Sequence, residues 1–272
     1  MPLYVVATPI GNLQDMTPRA REVLAACDAV VAEDTRYTGQ LLKHLGIGKK
    51  RFHSLPAYDE AHRADPIVER LAQGASFALV TDAGTPAISD PGAALVRRAV
   101  ERGVGVVPVP GASAAIAAVS VSGFAQPRFH FAGFLPRKTQ ARSDLLAELR
   151  TLRAQLVFYE SPHRLAATLR DLVAALGDRA AVVARELTKL HEELARGTLG
   201  ELAARFARDV RGEIVVVVEG AAKAEAEDAP DLESNVRERL ARGERPKDIA
   251  QALSASHAKR DVYQLALKLK KA

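Results

Sequence analysis

The feature that most constrains this fold is a unit that occurs three times in the first half of the chain. In each copy an apolar run leads into a loop of small residues and prolines, and a helical pattern follows. The loops lie at residues 8–15, 81–90 and 110–114. Apolar runs that alternate with helices over short connections predict a mainly parallel sheet. Ligands bind beyond the carboxyl ends of such strands, so three loops of this kind predict a shared site.

Three helices are predicted to begin with a side-chain cap followed by proline at the first helical position. The pairs are Thr17–Pro18, Asp90–Pro91 and Ser161–Pro162. A proline fits there because its missing N–H would have had no partner within the helix. These pairs therefore predict where the loops end and the helices begin.

The alternation restarts after Gly123, with apolar strands at 129–134, 155–159, 180–185 and 213–219, and this predicts a second α/β domain. The predicted organisation is an N-terminal domain at 1–123, a second domain at 124–220, a linker at 221–230 and a small helical domain at 231–272. The tail contains helical segments at 233–241, 246–253 and 259–269, of which the last two resemble a helix-turn-helix. A helical hairpin packed on the body explains the same pattern equally well.

The net charge of +5 is concentrated in the tail, where residues 231–272 hold 10 Lys and Arg against 6 Asp and Glu. The first 230 residues hold 28 against 27. A basic tail is typical of proteins that contact phosphates of nucleic acid, although a solvated tail has the same composition.

Several motifs are absent. The sequence contains no G-x-x-x-x-G-K-[ST], no G-x-G-x-x-G, no H-E-x-x-H and no G-x-S-x-G, and its histidines and single Cys27 form no pattern typical of a metal site. A compact ligand with a cationic centre therefore suits the three loops better than a triphosphate. No apolar run approaches the ~20 residues of a membrane span, and one cysteine suits the cytosol, so a cytoplasmic protein without membrane contact is expected.

Five motifs resemble the ribosomal RNA small-subunit methyltransferase I family of the tetrapyrrole-methylase-like, class III enzymes. They are Thr8-Pro9-Ile10-Gly11-Asn12-Leu13, Ala32-Glu33-Asp34-Thr35-Arg36, the stretch from Asp82 to Gly92, Phe158-Tyr159-Glu160-Ser161-Pro162-His163-Arg164 and Ala184-Arg185-Glu186-Leu187-Thr188-Lys189. The resemblance implies two α/β domains with S-adenosylmethionine in the cleft between them, a small helical C-terminal domain and a homodimer. It also implies 2′-O-methylation of a decoding-centre cytidine in 16S rRNA, with the 30S subunit as the expected partner.

The resemblance also implies which residues contact the cofactor. They are Pro9, Gly11, Asp82, Gly84, Thr85, Ile88, Ser113 and Ala114 from the first domain, and Tyr159, Glu160 and Leu187 from the second. The closest alternative reading is a tetrapyrrole methyltransferase that uses the same cofactor. A non-enzymatic RNA-binding assembly factor is the alternative from another class.

A ribose 2′-OH is a weak acid, so methyl transfer to it needs a group that removes the proton. Candidates at strand ends are Asp15, Glu33, Asp34, Glu160, His163, Glu186, Lys189 and His191, of which Glu186 and Lys189 are the predicted catalytic residues. A carboxylate beside an arginine forms a structural ion pair more often than it acts as a base. RNA contacts are predicted at Arg36, Arg137, Lys138, His163, Arg164, Arg185, Lys247, Lys259 and Arg260, because RNA binding needs donors for phosphate and ribose.

Overall fold

The computed structural model describes residues 1–208, 210–222, 232–253, 257 and 259–271. The chain divides into two compact units. The first comprises Met1–Ala118 and Glu186–Glu193, and the second comprises Val119–Arg185 and the described residues from Leu194 onward. The domain limits expected from the sequence remain predictions, and most of the predicted linker at 221–230 lies outside the described residues.

The first unit contains a five-stranded sheet. Its strands are β1 Leu3–Val6, β2 Ala29–Ala32, β3 Arg51–Ser54, β4 Phe77–Leu79 and β5 Val106–Val109. They lie in the order β3-β2-β4-β1-β5 and every neighbouring pair is parallel, which confirms the predicted parallel sheet. The helices are α1 Pro18–Ala26, α2 Thr35–His44, α3 Glu60–Ala72, α4 Ala93–Glu101 and α5 Ala114–Ser120, the last of which runs on into the second unit.

Alternate side chains of these strands enter two separate cores. Val30 and Ala78 belong to one cluster, whereas Val31 and Phe77 belong to the other. A parallel sheet with helices on its faces is buried on both sides, which explains why its inner strands β2 and β4 are short continuous apolar runs.

The structure corrects two of the three predicted helix starts. Thr17 caps α1 as expected, because its hydroxyl accepts from the Ala20 N–H at 3.2 Å. Asp90 does not cap α4, which has Gly92 at its N-cap with φ +133°. Ser161 does not cap the helix after it either, since that helix begins at Leu165 and only the Ser161 carbonyl accepts from its first turn.

The side chain that serves α4 comes from α3. Glu60 Oε1 accepts from the backbone N–H groups of Gly92 at 3.0 Å, Ala94 at 2.6 Å and Leu95 at 3.2 Å. A carboxylate is favourable at this end of a helix because it satisfies orphan donors and complements the helix dipole. A nearby Asp90 is therefore not needed as a cap.

The second unit contains a mixed five-stranded sheet. Its strands are β6 Phe129–Phe134, β7 Gln155–Glu160, β8 Ala180–Arg185, β9 Glu193–Thr198 and β10 Ile214–Val218, in the order β6-β7-β10-β8-β9. β6 and β7 are parallel, and β10 is antiparallel to both β7 and β8. The strands β6, β7 and β8 consequently run in the same direction, and their carboxyl ends meet at one edge of the sheet.

The helices of this unit are α6 Thr139–Leu149, α7 Leu165–Leu176 and α8 Leu199–Arg205. Strand β9 and helix α8 were not predicted. The sequence of β9, Glu-Leu-Ala-Arg-Gly-Thr, has only Ala195 fully buried, as suits an edge strand, and it lacks the apolar run that marked the other strands. Edge strands face water along one side and so give a weak sequence signal.

Three helices follow in the tail: α9 Leu232–Ala241, α10 Pro246–Ala252 and α11 Lys259–Lys271. They match the three predicted helical segments closely. They share a core of their own, formed by Val236, Ile249, Ala250, Val262 and Ala266. No helix within the described part of the chain is long and apolar enough to cross a membrane.

Candidate functional site

The three predicted loops leave adjacent strands of the first sheet, because β1 lies between β4 and β5. Thr8 and Gly84 form an antiparallel bridge, with N–H···O distances of 2.9 Å and 3.1 Å. The Thr8 hydroxyl donates to the Thr81 carbonyl at 3.1 Å, and the Thr85 hydroxyl donates to the Ala112 carbonyl at 3.2 Å. These bonds join the loops, which therefore form one continuous surface at the carboxyl edge of the sheet.

The cofactor residues predicted in the first unit all lie on these loops or at the first turn of α5. They are Pro9, Gly11, Asp82, Gly84, Thr85, Ile88, Ser113 and Ala114. Gly84 has φ +82°, a conformation that side-chain-bearing residues rarely adopt, and a Cβ there would lie 3.4 Å from Ile10 Cγ2. The structure thus brings together the residues that the sequence predicted as a set, and their role in cofactor binding remains a prediction.

A fourth segment, Glu186–Glu193, belongs to the first unit although it follows β8 of the second. The Asn12 N–H donates to Thr188 Oγ1 at 3.1 Å, and Lys189 Nζ lies 2.8 Å from Glu186 Oε1. A Cβ on Gly11 would lie only 2.4 Å from Lys189 Cγ. The segment therefore packs directly on the first loop, and Gly11 provides the space that the Lys189 side chain occupies.

Backbone strain is confined to these same segments. Among the described residues, the non-glycine residues with positive φ are Ala87 at +66°, Ser89 at +65°, Glu186 at +52° and Thr188 at +65°. Left-handed backbone costs a non-glycine residue about 1–2 kcal/mol. Such strain persists only where surrounding contacts impose it and is concentrated at functional sites. This feature marks the loop at 81–92 and the segment at 186–193 independently of any sequence motif.

Carboxylates are concentrated at the carboxyl ends of β2 and β4. Burial raises the pKa of Glu33, and the negative charges of Asp82, Asp90 and Asp34 raise it further. Burial likewise raises the pKa of Asp82, although a hydrogen bond from the Asp34 backbone opposes the shift. Burial also raises the pKa of Asp90, where a hydrogen bond from Thr81 opposes the shift and the negative charge of Asp82 adds to it. Buried Oδ1 of Asp82 has no hydrogen-bond partner among the described residues. This edge therefore carries negative charge that the neighbouring protein groups compensate only in part.

Asp34 is the exception among these carboxylates. It caps α2 by accepting from the Arg36 N–H at 2.8 Å and the Tyr37 N–H at 3.3 Å. The hydrogen-bonded Arg36 guanidinium lowers its pKa. Arg36, predicted to contact RNA, is 89% exposed and lies 3.2 Å from the Asp34 carboxylate. Of the two roles that the sequence allowed for Asp34, base or structural ion pair, the structure shows the ion pair with Arg36. This pairing does not favour Asp34 as a base.

The carboxyl edge of the second sheet carries the opposite charge. Arg137 and Lys138 follow β6, His163 and Arg164 follow β7, and Arg185 ends β8. Arg137, Lys138 and His163 are exposed. Arg164 is held by the Leu135 carbonyl at 2.9 Å, and the Arg185 guanidinium donates to the Arg211 carbonyl at 3.2 Å. Five predicted RNA contacts therefore share one edge, three of them with exposed side chains.

The Glu160 carboxylate makes its contacts within the protein, which does not favour it as a base, and its predicted cofactor contact stays a prediction. Its carboxylate is buried and accepts from the Ser161 N–H at 2.7 Å and from Thr168 Oγ1 at 2.5 Å. Arg164 Nε lies 3.6 Å away. These bonds occupy the carboxylate and explain its tolerance of burial. The neighbouring Tyr159 is half-buried, with its ring against Phe131 and Phe134.

The remaining predicted residues are exposed, apart from Leu187, which is buried. Asp15 and His191 are exposed, and Leu187 is 9% exposed. Lys247, Lys259 and Arg260 are exposed on α10 and α11, where Lys259 Nζ donates to Gln251 Oε1. No group of three or more His, Cys, Asp or Glu in the described ranges is arranged to hold a metal ion.

Comparison with known proteins identifies the class of protein to which this fold belongs. Residues 2–203 match the family model described as Tetrapyrrole (Corrin/Porphyrin) Methylases. Two solved structures share the fold. The crystal structure of diphthine synthase has a TM-score of 0.63 and 19% identity, covering 84% of this chain and 94% of that chain. The crystal structure of the methyltransferase CobJ has a TM-score of 0.62 and 21% identity, covering 81% and 95%. The fold is that of the tetrapyrrole methylases.

Relatives with similar sequences identify the family within this class. A protein of Haemophilus influenzae named Ribosomal RNA small subunit methyltransferase I is 46% identical, covering 97% of this chain and 96% of the relative. Proteins with the same name from Synechocystis sp. and Escherichia coli O157:H7 are 44% and 49% identical, covering 98% and 84% of this chain and 98% and 80% of the relatives. The chain belongs to the ribosomal RNA small-subunit methyltransferase I family.

Proposed function

We propose that this protein transfers a methyl group from S-adenosylmethionine to the ribose 2′-OH of a cytidine in the decoding centre of 16S rRNA. The observation that carries the proposal is the opposition of charge between two sheet edges, in a chain whose relatives are named for small-subunit rRNA methylation over nearly its whole length. The carboxylate-rich edge suits a cationic cofactor, and the cation-rich edge suits a polyanion. We also propose, from the family resemblance, a cytoplasmic homodimer that acts on the 30S subunit.

The residues of the first unit fit the cofactor. S-adenosylmethionine carries a sulfonium and an ammonium, and Asp82 offers a buried carboxylate oxygen that no described group occupies. The joined loops expose backbone groups and small side chains beside it, including Gly84 and Thr85. Because the carboxylates at this edge repel one another, a bound cation would relieve the repulsion. When bound, the cofactor supplies a methyl group already activated by the sulfonium.

The chain's own contribution would be positioning and proton removal. Glu186 and Lys189 form an ion pair at 2.8 Å on the segment that packs over the first loop. In this arrangement the Glu186 carboxylate accepts the proton of the 2′-OH, and the Lys189 ammonium stabilises the negative charge that develops on the ribose oxygen. Proton loss and C–O bond formation then leave a neutral ether and a neutral thioether. Glu186 also has φ +52°, a strained conformation of the kind that is concentrated at functional sites.

Methyl transfer from radiolabelled cofactor to naked 16S rRNA, the 30S subunit and a precorrin tests the proposal. We expect incorporation into rRNA, in one or both of its forms, and none into the macrocycle. A 2′-O-methyl group protects the adjacent phosphodiester from alkaline cleavage, so partial hydrolysis locates it. Label found only in the precorrin, or in an alkali-labile position of the RNA, would contradict the assignment.

The catalytic pair is tested with Glu186→Gln, which keeps the shape of the side chain but removes its basicity. We expect transfer to fall by about 10²–10⁴-fold with cofactor affinity little changed. Leu190→Ala, in the same segment and 92% exposed, is the matched control and should retain wild-type transfer. A Glu186→Gln variant with unimpaired transfer would remove Glu186 from the mechanism.

A further inference from the structure

Strand β6 contains an irregularity that changes which way its aromatic side chains face. In its parallel pairing with β7, Phe131 lies opposite Val157, but Gly133 lies opposite Phe158 and Phe134 opposite Tyr159. One extra residue is therefore accommodated between Phe131 and Gly133, and Gly133 has φ +66°. Bulges of this kind redirect side chains and are rare between parallel strands. A glycine inside an apolar strand pattern was the available sequence signal for this feature.

The bulge places two phenylalanines around one tyrosine. Residues three apart in a regular strand point to opposite faces. Here the Phe131 and Phe134 rings both contact the Tyr159 ring, with centroid distances of 4.8 Å and 5.7 Å and interplanar angles of 69° and 65°. Edge-to-face pairs at these distances are favourable. The three rings therefore form one aromatic cluster, which we call the β6 aromatic cluster.

The β6 aromatic cluster is separate from the hydrophobic core of its unit. None of its rings belongs to the main cluster of buried side chains there, which includes Leu156 and Phe158 of the same sheet. Phe134 is 53% exposed, and Tyr159 is half-buried beneath it. A phenylalanine that is supported on one side and open on the other is expensive in water unless a partner covers it. The chain follows it at once with exposed Arg137 and Lys138.

We propose that Phe134, supported by Tyr159, stacks on an unpaired nucleobase of the RNA substrate while Arg137 and Lys138 bind the adjacent phosphates. This inference rests on the proposed function. Proteins recognise single-stranded RNA by stacking exposed bases on aromatic rings and holding the backbone with cations. Phe134 of the β6 aromatic cluster and the cations Arg137 and Lys138 bring both elements together within five residues at the end of β6. A polyanion with flat aromatic groups is the partner whose chemistry matches that combination.

The absence of tryptophan from the sequence permits a direct test of stacking. Phe134→Trp introduces a single tryptophan, and its fluorescence is titrated with a single-stranded oligoribonucleotide from the 16S decoding region. Phe129→Trp is the matched control, because Phe129 is 44% exposed at the opposite end of the same strand. We expect quenching at position 134 and little at 129. An oligonucleotide with abasic positions should bind through its phosphates without quenching.

Three substitutions separate stacking from simple packing. Phe134→Ala should weaken RNA binding by about 5- to 100-fold, the range for loss of one stacked base. Phe134→Leu should be nearly as weak, because it restores apolar volume without a π-face, whereas Phe134→Tyr should bind almost normally. Cofactor affinity and melting temperature should match the wild type in all three. RNA affinity unchanged in Phe134→Ala, or fully kept in Phe134→Leu, would overturn the proposal.

Methylation by the wild type distinguishes the two levels of inference. If the wild type methylates rRNA and Phe134→Trp shows no base-dependent quenching, stacking at Phe134 is wrong and the proposed function stands. If the wild type transfers no methyl group to rRNA in any form, the proposed function fails and the stacking role fails with it.

Discussion

The two sheets have the same number of strands and opposite charges at their carboxyl edges. The first edge gathers Glu33, Asp34, Asp82 and Asp90, and the second gathers Arg137, Lys138, His163, Arg164 and Arg185. Loops at the first edge are tied to one another by backbone and hydroxyl bonds, as between Thr8 and Gly84. At the second edge the side chains of Arg137, Lys138 and His163 are exposed to solvent.

The difference in charge and solvation between the two edges agrees with the different ligands proposed for them. A cofactor of fixed shape is best held by a rigid, partly desolvated surface. Electrostatic interactions are stronger there because water is excluded. An RNA backbone presents repeated charges and is best met by exposed, adaptable cations. At the first edge, partial burial raises the pKa values of Glu33, Asp82 and Asp90, whereas at the second edge Arg137 and Lys138 are exposed to solvent.

The largest loss of methyl transfer should come from Gly11→Ala at the first edge. The added methyl group would lie 2.4 Å from Lys189 Cγ and 2.9 Å from Thr188 Oγ1. The segment at 186–193 would have to move, and misplacement of about 1 Å can reduce turnover by the order of 10²-fold. Steady-state methyl transfer measures the loss. Gly48→Ala, with nothing within 4 Å of the added atom, is the control. Equal turnover in the two variants would show that the segment does not need its present position.

Asp82→Asn tests whether the first edge recognises positive charge. We expect cofactor affinity to fall by about 10- to 100-fold, the range for losing a hydrogen bond to a charged group, and RNA affinity to stay the same. Titration calorimetry with S-adenosylmethionine and an RNA-binding assay measure the two. A variant that loses RNA binding instead would invert the roles assigned to the two edges.

Neutralising Arg137 and Lys138 together, as Arg137→Gln and Lys138→Gln, should affect only the second edge. RNA affinity at 0.1 M salt should fall about 10-fold, and the slope of log K against log salt should decrease by about 0.7 for each removed charge. Arg153→Gln, in the same unit but away from these loops, provides a comparison for general charge effects. An unchanged salt slope would show that Arg137 and Lys138 do not contact phosphates.

The smallest effect should be on stability, through Glu33. Its pKa is raised by burial and by neighbouring carboxylates, so the folded state binds the proton more tightly than the unfolded state does. The free energy of unfolding of the ligand-free protein should therefore rise as the pH falls from 7 to 5. Glu33→Gln should raise the melting temperature at pH 7 by the order of 1–2 °C and show a smaller gain on acidification.

The control for this last measurement is Glu22→Gln, on the exposed face of α1. Asp34 contributes with the opposite sign, because hydrogen bonds from Arg36 lower its pKa and its stabilisation is lost in more acid solution. The scan accordingly stays above pH 5. A lower melting temperature in Glu33→Gln at pH 7 would show that the carboxylate is stabilised by groups other than those described.

The sequence was sufficient for features that depend on local patterns. Apolar runs located β1, β4 and β5 of the first sheet, and the loops at 8–15, 81–90 and 110–114 that follow them lie together as predicted. Features that depend on distant residues could not be predicted. The cap of α4 comes from Glu60, 32 positions before Gly92, and the nearer Asp90 looked like a better candidate.

The candidate site shows the same limit. In the sequence, Glu160 looks like any other carboxylate at the end of a strand. Its hydrogen bonds with Thr168 and Ser161, which occupy the carboxylate within the protein, are visible only in the structure. Ala87 and Thr188 are residue types that rarely adopt positive φ, so no local rule would place them there. The grouping of Phe131 with Phe134 depends on one bulge, which alters the alternation that a strand pattern assumes.

The segment Glu186–Glu193 belongs to the first unit but is synthesised long after the rest of that unit. During synthesis, a chain that has emerged as far as residue 150 already contains every strand of the first sheet. It still lacks Thr188, the partner of the Asn12 N–H, and the Lys189 side chain that fills the space over Gly11. The surface around the first loop therefore remains incomplete on the ribosome until translation has passed residue 193.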